Sequence, residues 1–185
     1  MSPETETRNV IDHYHYWTND AIIADLRERS HNFDVMCCNI GNDFNIATVI
    51  RNANAFLAGN VIVYGNKKYD RRGTVGTHLY TRFKHVKVLE DFESLLKETE
   101  YYVIGVDNVP GAEQIETFEW PKDKKVLLIF GQEQIGIPSE ILTKCHKVLY
   151  ISQYGSVRSL NVGTASGIAM FAYTSKTCLI TTTNV

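Results

Sequence analysis

Three short stretches of this chain combine polar side chains with small residues in spacings that could support chemistry. In FNIATVIRNANAFLA (44–58), Asn45 precedes Arg51 by six residues in an otherwise apolar or small-residue segment. Such an arginine either runs its stem along the core and keeps its head in water, or presents a cation to an anionic substrate that Asn45 helps to position. In LLIFGQEQIGIP a hydrophobic run ends at Gly131, and Gln132, Glu133 and Gly136 follow before Pro138. Glycine there serves the flexibility of a turn or the close approach of a bare backbone to a small molecule. In the third stretch Ser159, Leu160 and Asn161 open a segment holding Gly163 and Gly167, each costing a helix about 1 kcal/mol relative to alanine. With Ala165, Ser166 and Ala169 they form one nearly flat face, suited to tight packing, a partner chain or a threaded loop.

A fourth stretch is charged. Residues 67–87 hold Lys67, Lys68, Arg71, Arg72, Arg82, Lys84 and Lys87 against Asp70 alone, a net +6, with Tyr69, Tyr80 and Phe83 interleaved. Such a run is either a solvated face or a surface where cations meet RNA phosphates and rings stack on bases. The 185-residue chain carries only −2 overall, so the remainder is strongly acidic and the net value hides the polarity.

Several other chemistries are missing. No GxGxxG or GxxxxGK[ST] follows a strand, so neither a dinucleotide site nor a P-loop is indicated. Cys37, Cys38, Cys145 and Cys178 form no CxxC and read as reduced, mostly buried thiols. The six histidines do not cluster at ligand spacing, so no metal is expected. The opening residues are acidic and lack an apolar run, against a signal peptide, and no stretch reaches the 18 or so apolar residues of a membrane span. A 44% hydrophobic, 22% charged composition fits one ordinary globular domain.

The elements that must position these residues alternate along the chain. After a lead-in over 1–18, Asn19 and Asp20 offer an N-cap for a helix to about Arg29, with Ile22, Ile23 and Leu26 as its stripe. Short apolar runs at 35–40, 60–64, 101–106, 125–130 and 148–151 read as buried strands. Residues 44–58, 91–99, 138–145 and 160–173 read as helices, the first of these with Gly59 as its C′ residue. Cys37 and Cys38, adjacent in a strand, point to opposite faces. The alternation predicts a parallel α/β sheet covered on both faces, with a ligand at the carboxyl ends of its strands.

Taken in order, the three stretches resemble the three motifs of the SpoU (TrmH) family of SPOUT RNA methyltransferases. Asn45 and Arg51 match the N-x5-R of the first motif, and Gly131, Gln132 and Glu133 the G-x-E of the second. Ile151 and Ser159-Leu160-Asn161 match the third, so the resemblance covers about residues 34–175. Gly163 and Thr164 stand where the family often has Ser-x.

The resemblance implies an α/β doubly wound parallel sheet with a deep C-terminal trefoil knot over roughly residues 127–175. Residues 1–33 would be an N-terminal extension with one helix, and 34–185 the methyltransferase domain. It further implies S-adenosylmethionine held near Gly131, Ile151, Ser159 and Leu160, with Val106 as another adenosine contact. Arg51, Asn45, Glu133, Ser159 and Asn161 would serve catalysis in a homodimer whose active site is assembled across the interface. The product would be a ribose 2′-O-methyl group. Arg51 has a guanidinium that is ordinarily always charged, so stabilising an alkoxide and gripping a phosphate come easily to it, whereas acting as base needs a perturbed site or help from substrate phosphate. RNA would land on Lys67, Lys68, Arg71, Arg72, Arg82 and Lys84.

These expectations describe a cytoplasmic enzyme, with tRNA favoured over rRNA because no separate RNA-binding domain precedes the knot fold. The competing readings are an rRNA enzyme of the same family and a non-catalytic RNA-binding module on the same fold. An unrelated doubly wound nucleotide-binding protein would instead have an unknotted chain and another strand order.

Overall fold

The apolar runs resolve into a sheet with seven parallel strands in the order β3-β2-β1-β6-β4-β7-β5. The structure, a computed structural model, describes residues 8–39, 45–132 and 134–178. The strands are β1 (Phe33–Asn39), β2 (Val61–Gly65), β3 (Phe83–Val86), β4 (Tyr101–Val106), β5 (Glu113–Gln114), β6 (Lys125–Phe130) and β7 (Lys147–Tyr150). The helices are α1 (Asn19–Glu28), α2 (Asn45–Ala55), α3 (Leu89–Glu98), α4 (Ser139–Leu142) and α5 (Val162–Thr177). Two strands had no apolar run to announce them. β3 lies inside the basic stretch as an exposed edge, and β5 is two exposed residues paired to β7.

Period-two alternation divides the core between the two faces of the sheet. Phe33, Val35 and Cys37 of β1, with Val126, Leu128 and Phe130 of β6, pack on one face against α2 and α5. Met36 and Cys38, with Leu127 and Ile129, pack on the other against Phe92 of α3 and Ile141 of α4. The adjacent cysteines thus do face opposite ways, and both are buried and outside any disulfide. A smaller cluster of Tyr14, Ile22 and Tyr80 fastens α1 to the body.

Helix ends depart from the sequence reading in two instructive places. The N-cap of α1 is Thr18, whose hydroxyl accepts from Ala21 N at 3.2 Å, not Asn19 or Asp20. The C′ residue of α2 is Leu57, not Gly59. Leu57 adopts φ +53°, with Ala58 N donating to Ala53 O at 2.9 Å and Leu57 N to Asn54 O at 3.2 Å, the paired bonds of a Schellman end. Gly59 is small for another reason, since a side chain there would strike the Asp34 carboxylate. Among the described residues no helix is long and apolar enough to cross a membrane.

Candidate functional site

Every strand in the sheet is parallel, so every strand presents its carboxyl end on one edge, where chains of this class bind ligands. A cleft opens there beyond β4, β6 and β7. Residues 106–108 and 130–132, with Tyr150, Ile151 and Gln153, supply its walls, each set starting at the last residue of its strand, and Ser159, Leu160, Val162 and Ala165 close it from the start of α5. It opens to solvent and encloses about 140 Å³. Val106, Gly131, Ile151, Ser159 and Leu160 all line it.

The loop after β6 requires its glycines. Gln132 N donates to Gly136 O at 3.0 Å and Gly136 N to Gln132 O at 2.7 Å, folding the loop back on itself. A Cβ on Gly131 would overlap the backbone of Gly136, and Gly136 itself sits at φ +70° with the Asp107 carboxylate where a side chain would go. Glu133 lies outside the described residues.

Two residues that the motifs did not mark hold these walls. Asp107, just past β4, accepts from Ile137 N at 2.7 Å through Oδ2 and from Asn108 N at 2.8 Å through Oδ1. Asn108 Nδ2 donates to Arg158 O at 3.1 Å. One dipeptide therefore ties both the 131–137 and the 151–161 loops to the end of β4. A signal for it existed: both are polar side chains placed directly after a buried strand, at the edge where ligands sit.

Beside the cleft, helix α2 is joined to the start of α5. Asn161 caps α5, its Oδ1 accepting from Thr164 N at 3.3 Å while its Nδ2 donates to Asn45 Oδ1 at 2.9 Å. Two turns further along α2, Asn52 Nδ2 donates to Gly163 O at 2.8 Å and Ser166 Oγ at 2.9 Å. The flat face of α5 is consumed by this packing, with Gly163 against Thr48 and Gly167 against Asn52. Both glycines seat a neighbouring helix of the same chain. Arg51 is exposed on α2, and α2 also packs against the 3-10 turn Arg71–Thr74 of the basic stretch.

Basic residues line two depressions. Lys67, Lys68, Arg71 and Lys84 line a depression with Tyr69 and Phe83, whose ring centroids lie 6.1 Å apart. Arg72 is held by Asp70 at 2.6 Å, and Arg82 borders the groove under α1. Tyr80 is buried at 6% exposure in the α1 cluster and so offers no ring for stacking. Its apolar ring is worth more beneath α1 than in water.

Strong pKa perturbations lie away from the cleft. Asp34, fully buried, accepts from Asn60 N at 2.9 Å and Asn60 Nδ2 at 2.8 Å, receives the Tyr101 hydroxyl, and pairs with Lys125 at 2.8 Å. Burial and the bond to Asp34 push the Tyr101 phenol well up. These groups sit at the amino ends of their strands, so the network is structural. Burial also raises the Cys38 and Cys145 thiols, the latter to about 11, which leaves both as poor nucleophiles. Among the described residues no group of three or more His, Cys, Asp or Glu could hold a metal.

Comparison with known proteins agrees with this geometry. The model of the SpoU rRNA Methylase family matches residues 32–171. A tRNA (guanosine(18)-2'-O)-methyltransferase of Saccharomyces cerevisiae is 32% identical over 90 residues, 46% of this chain but only 6% of that protein. The enzyme of the same description from Aquifex aeolicus is 27% identical over 152 residues, 79% of this chain and 70% of the relative. The AdoMet-bound rRNA methyltransferase of Sinorhizobium meliloti superposes with a TM-score of 0.70 at 23% identity, covering 83% of this chain and 59% of that one, and so shares the fold.

Proposed function

Because this chain belongs to the SpoU rRNA Methylase family, we propose that it transfers a methyl group from S-adenosylmethionine to a ribose 2′-hydroxyl of RNA. The observation that carries the reading is the cleft at the ends of β4, β6 and β7, flanked by the Asn45–Asn161 pair. The cleft suits the cofactor chemically. Phe130, Ile151, Leu160 and Val162 offer apolar walls for a heterocycle, the 131–137 loop offers bare backbone, and Gln153 Oε1 is buried without a hydrogen-bond partner. When bound, S-adenosylmethionine supplies an electrophilic methyl group on a sulfonium.

The chain's own residues then have separable tasks. Asn45 and Asn161 lock α2 to the cleft and so fix where Arg51 stands. Arg51 holds a phosphate next to the reacting ribose and stabilises negative charge as it grows on the 2′-oxygen. A ribose hydroxyl is a poor nucleophile, so its alignment accounts for much of the rate; Ser159, on the cleft wall, assists that alignment. Glu133 keeps the role its motif position implies.

RNA approaches across the depression of Lys67, Lys68, Arg71 and Lys84, with Arg72 and Arg82 as more distant contacts. At ~4.8 Å per strand, β2 lies about 10 Å from β6, and α2 with Arg51 bridges that span. Transfer RNA is the favoured substrate, supported by the names of the yeast and Aquifex relatives; the family description and the Sinorhizobium neighbour favour rRNA as the second reading. The chain spans a few per cent of the yeast relative's length.

The working unit is a homodimer in the cytoplasm, built as an extension over 1–33 followed by the methyltransferase domain over 34–185. Free cysteines support a reducing compartment. Exposed Ile135, Tyr154, Val157 and Phe171, on both cleft loops and on α5, support a second copy seated there. A knot over roughly 127–175 is part of the same reading, supported by family membership and by the ties between the 107–120 and 151–161 segments.

The test is methyl transfer from radiolabelled S-adenosylmethionine to purified tRNA and rRNA, with the product mapped by alkaline resistance and mass spectrometry. A 2′-O-methylated nucleotide in tRNA is expected. Transfer to neither RNA overturns the reading, and transfer to rRNA alone selects the second one.

A further inference from the structure

Among the residues that line the cleft, Gln153 carries a side-chain atom with no partner in the protein. Gln153 Oε1 is buried and accepts no hydrogen bond, one of only two such side-chain atoms among the described residues. Buried acceptors are ordinarily paired, and each exception calls for an explanation. The other exception, Trp120 Nε1, lies between Phe118 and Tyr173, outside the cleft lining, and needs none from a ligand there.

The backbone around Gln153 is already committed. Ser152 N donates to Glu116 Oε1 at 2.9 Å, and Tyr150 O accepts from Ile115 N at 3.0 Å, so this segment is tied to the β5 side. Those bonds hold the residue while its side chain contributes to the cleft wall with Ile151 and Leu160. An acceptor among apolar walls asks for an N–H donor carried by a largely apolar, flat group.

Resting on the methyltransferase reading, we propose that Gln153 is a specificity-determining residue that accepts a hydrogen bond from the exocyclic amine of the cofactor's adenine. The apolar walls take the ring, and Gln153 tests for the amine. A purine without that amine buries the same surface but leaves Oε1 unpaired, and a site built to receive an N–H rejects a ligand lacking it.

The experiment is calorimetric titration of the full chain with S-adenosylhomocysteine and with its des-amino analogue, in which hydrogen replaces the adenine amine. The wild-type chain should bind the adenosyl compound ~10-fold or more tightly than the analogue. Gln153→Met fills similar space without an acceptor and should bring the two affinities within about twofold, by losing the adenosyl compound and not by gaining the analogue. Gln153→Glu keeps an acceptor and should retain the preference. Circular dichroism and a thermal melt establish that both variants are folded. An unchanged preference in Gln153→Met overturns the assignment to Gln153 while the cofactor reading stands. If wild type binds neither compound, the cofactor reading itself fails and takes the proposal with it.

Discussion

Arg51 and Asp107 illustrate two ways in which a single side chain can matter to one cleft. Arg51 is exposed on α2 and lies outside the cleft lining, and its proposed task is to act on RNA arriving from solvent. Arg51→Ala should lower the single-turnover methylation rate by ~10²–10³ while leaving the affinity for S-adenosylhomocysteine within twofold. Arg51→Lys should not restore the rate, because an ammonium lacks the planar fork that grips a phosphate. A near-normal rate in Arg51→Ala would make it a surface residue of α2. Asp107 works in the opposite sense. Its carboxylate receives Ile137 N and Asn108 N, so Asp107→Ala leaves two donors to find other partners and frees the 131–137 loop. Cofactor affinity should fall ~10-fold, equivalent to about 1.4 kcal/mol, with a KM for RNA that barely moves.

At the level of elements, the α2–α5 contact decides where the functional groups stand. Gly163 costs α5 about 1 kcal/mol of helix propensity relative to alanine, yet a Cβ at that position would lie 2.8 Å from Thr48 Cγ2. Thr48 is β-branched and has few rotamers to retreat into. Gly163→Ala should therefore destabilise the protein by about 1–3 kcal/mol, read as a lower urea midpoint at unchanged slope. Pairing it with Thr48→Ser, which removes the offending methyl, should recover most of the loss. If Gly163→Ala stabilises the chain, the helices are not in the contact described. The same contact explains why two residues 116 positions apart, Asn45 and Asn161, share a hydrogen bond.

For the molecule as a whole, alkaline pH and self-association give two further tests. Burial raises the Cys145 thiol from near 9 to about 11. The unfolded chain loses that proton first, so the associated stability is complete below pH 9 and is lost as pH rises through about 11. A drop on the order of 1 kcal/mol between pH 8 and pH 10 is expected from this group, and Cys145→Ala should flatten that slope in urea titrations. An identical slope in the variant would assign the loss to Cys38, whose thiol burial raises from the same ordinary value. Self-association should appear as a stable dimer in sedimentation at micromolar concentration, with a total buried interface of about 1,600 Å² or more. Phe171→Glu, placed on the exposed side of α5 at 61% exposure, should shift the protein to monomer without lowering its melting temperature by more than a few degrees. A wild-type monomer under those conditions rules the dimer out.

The sequence alone determined the elements whose signal is local. Uninterrupted apolar runs marked β4 and β6 to the residue, because a strand buried on both faces has no polar position to blur its ends. The glycines at 131 and 136 were equally legible, since only a residue without a side chain suits a loop folded back on itself. What required tertiary structure was everything set by distant partners. Edge strands β3 and β5 are exposed and carry no apolar run, so they exist because β2 and β7 offer hydrogen bonds. The left-handed turn that ends α2 falls on Leu57, while Gly59 is kept small by Asp34, 25 residues upstream. The flat face of α5 announced a close approach without saying to what, and only the fold shows that Thr48 and Asn52 fill it. Asp107, Asn108 and Gln153 belong to no motif, and their importance lies in which loops and which unpaired atom they bring to one cleft. Local pattern reports how a segment folds; which segments meet, and what chemistry the meeting leaves unsatisfied, is decided by three-dimensional packing.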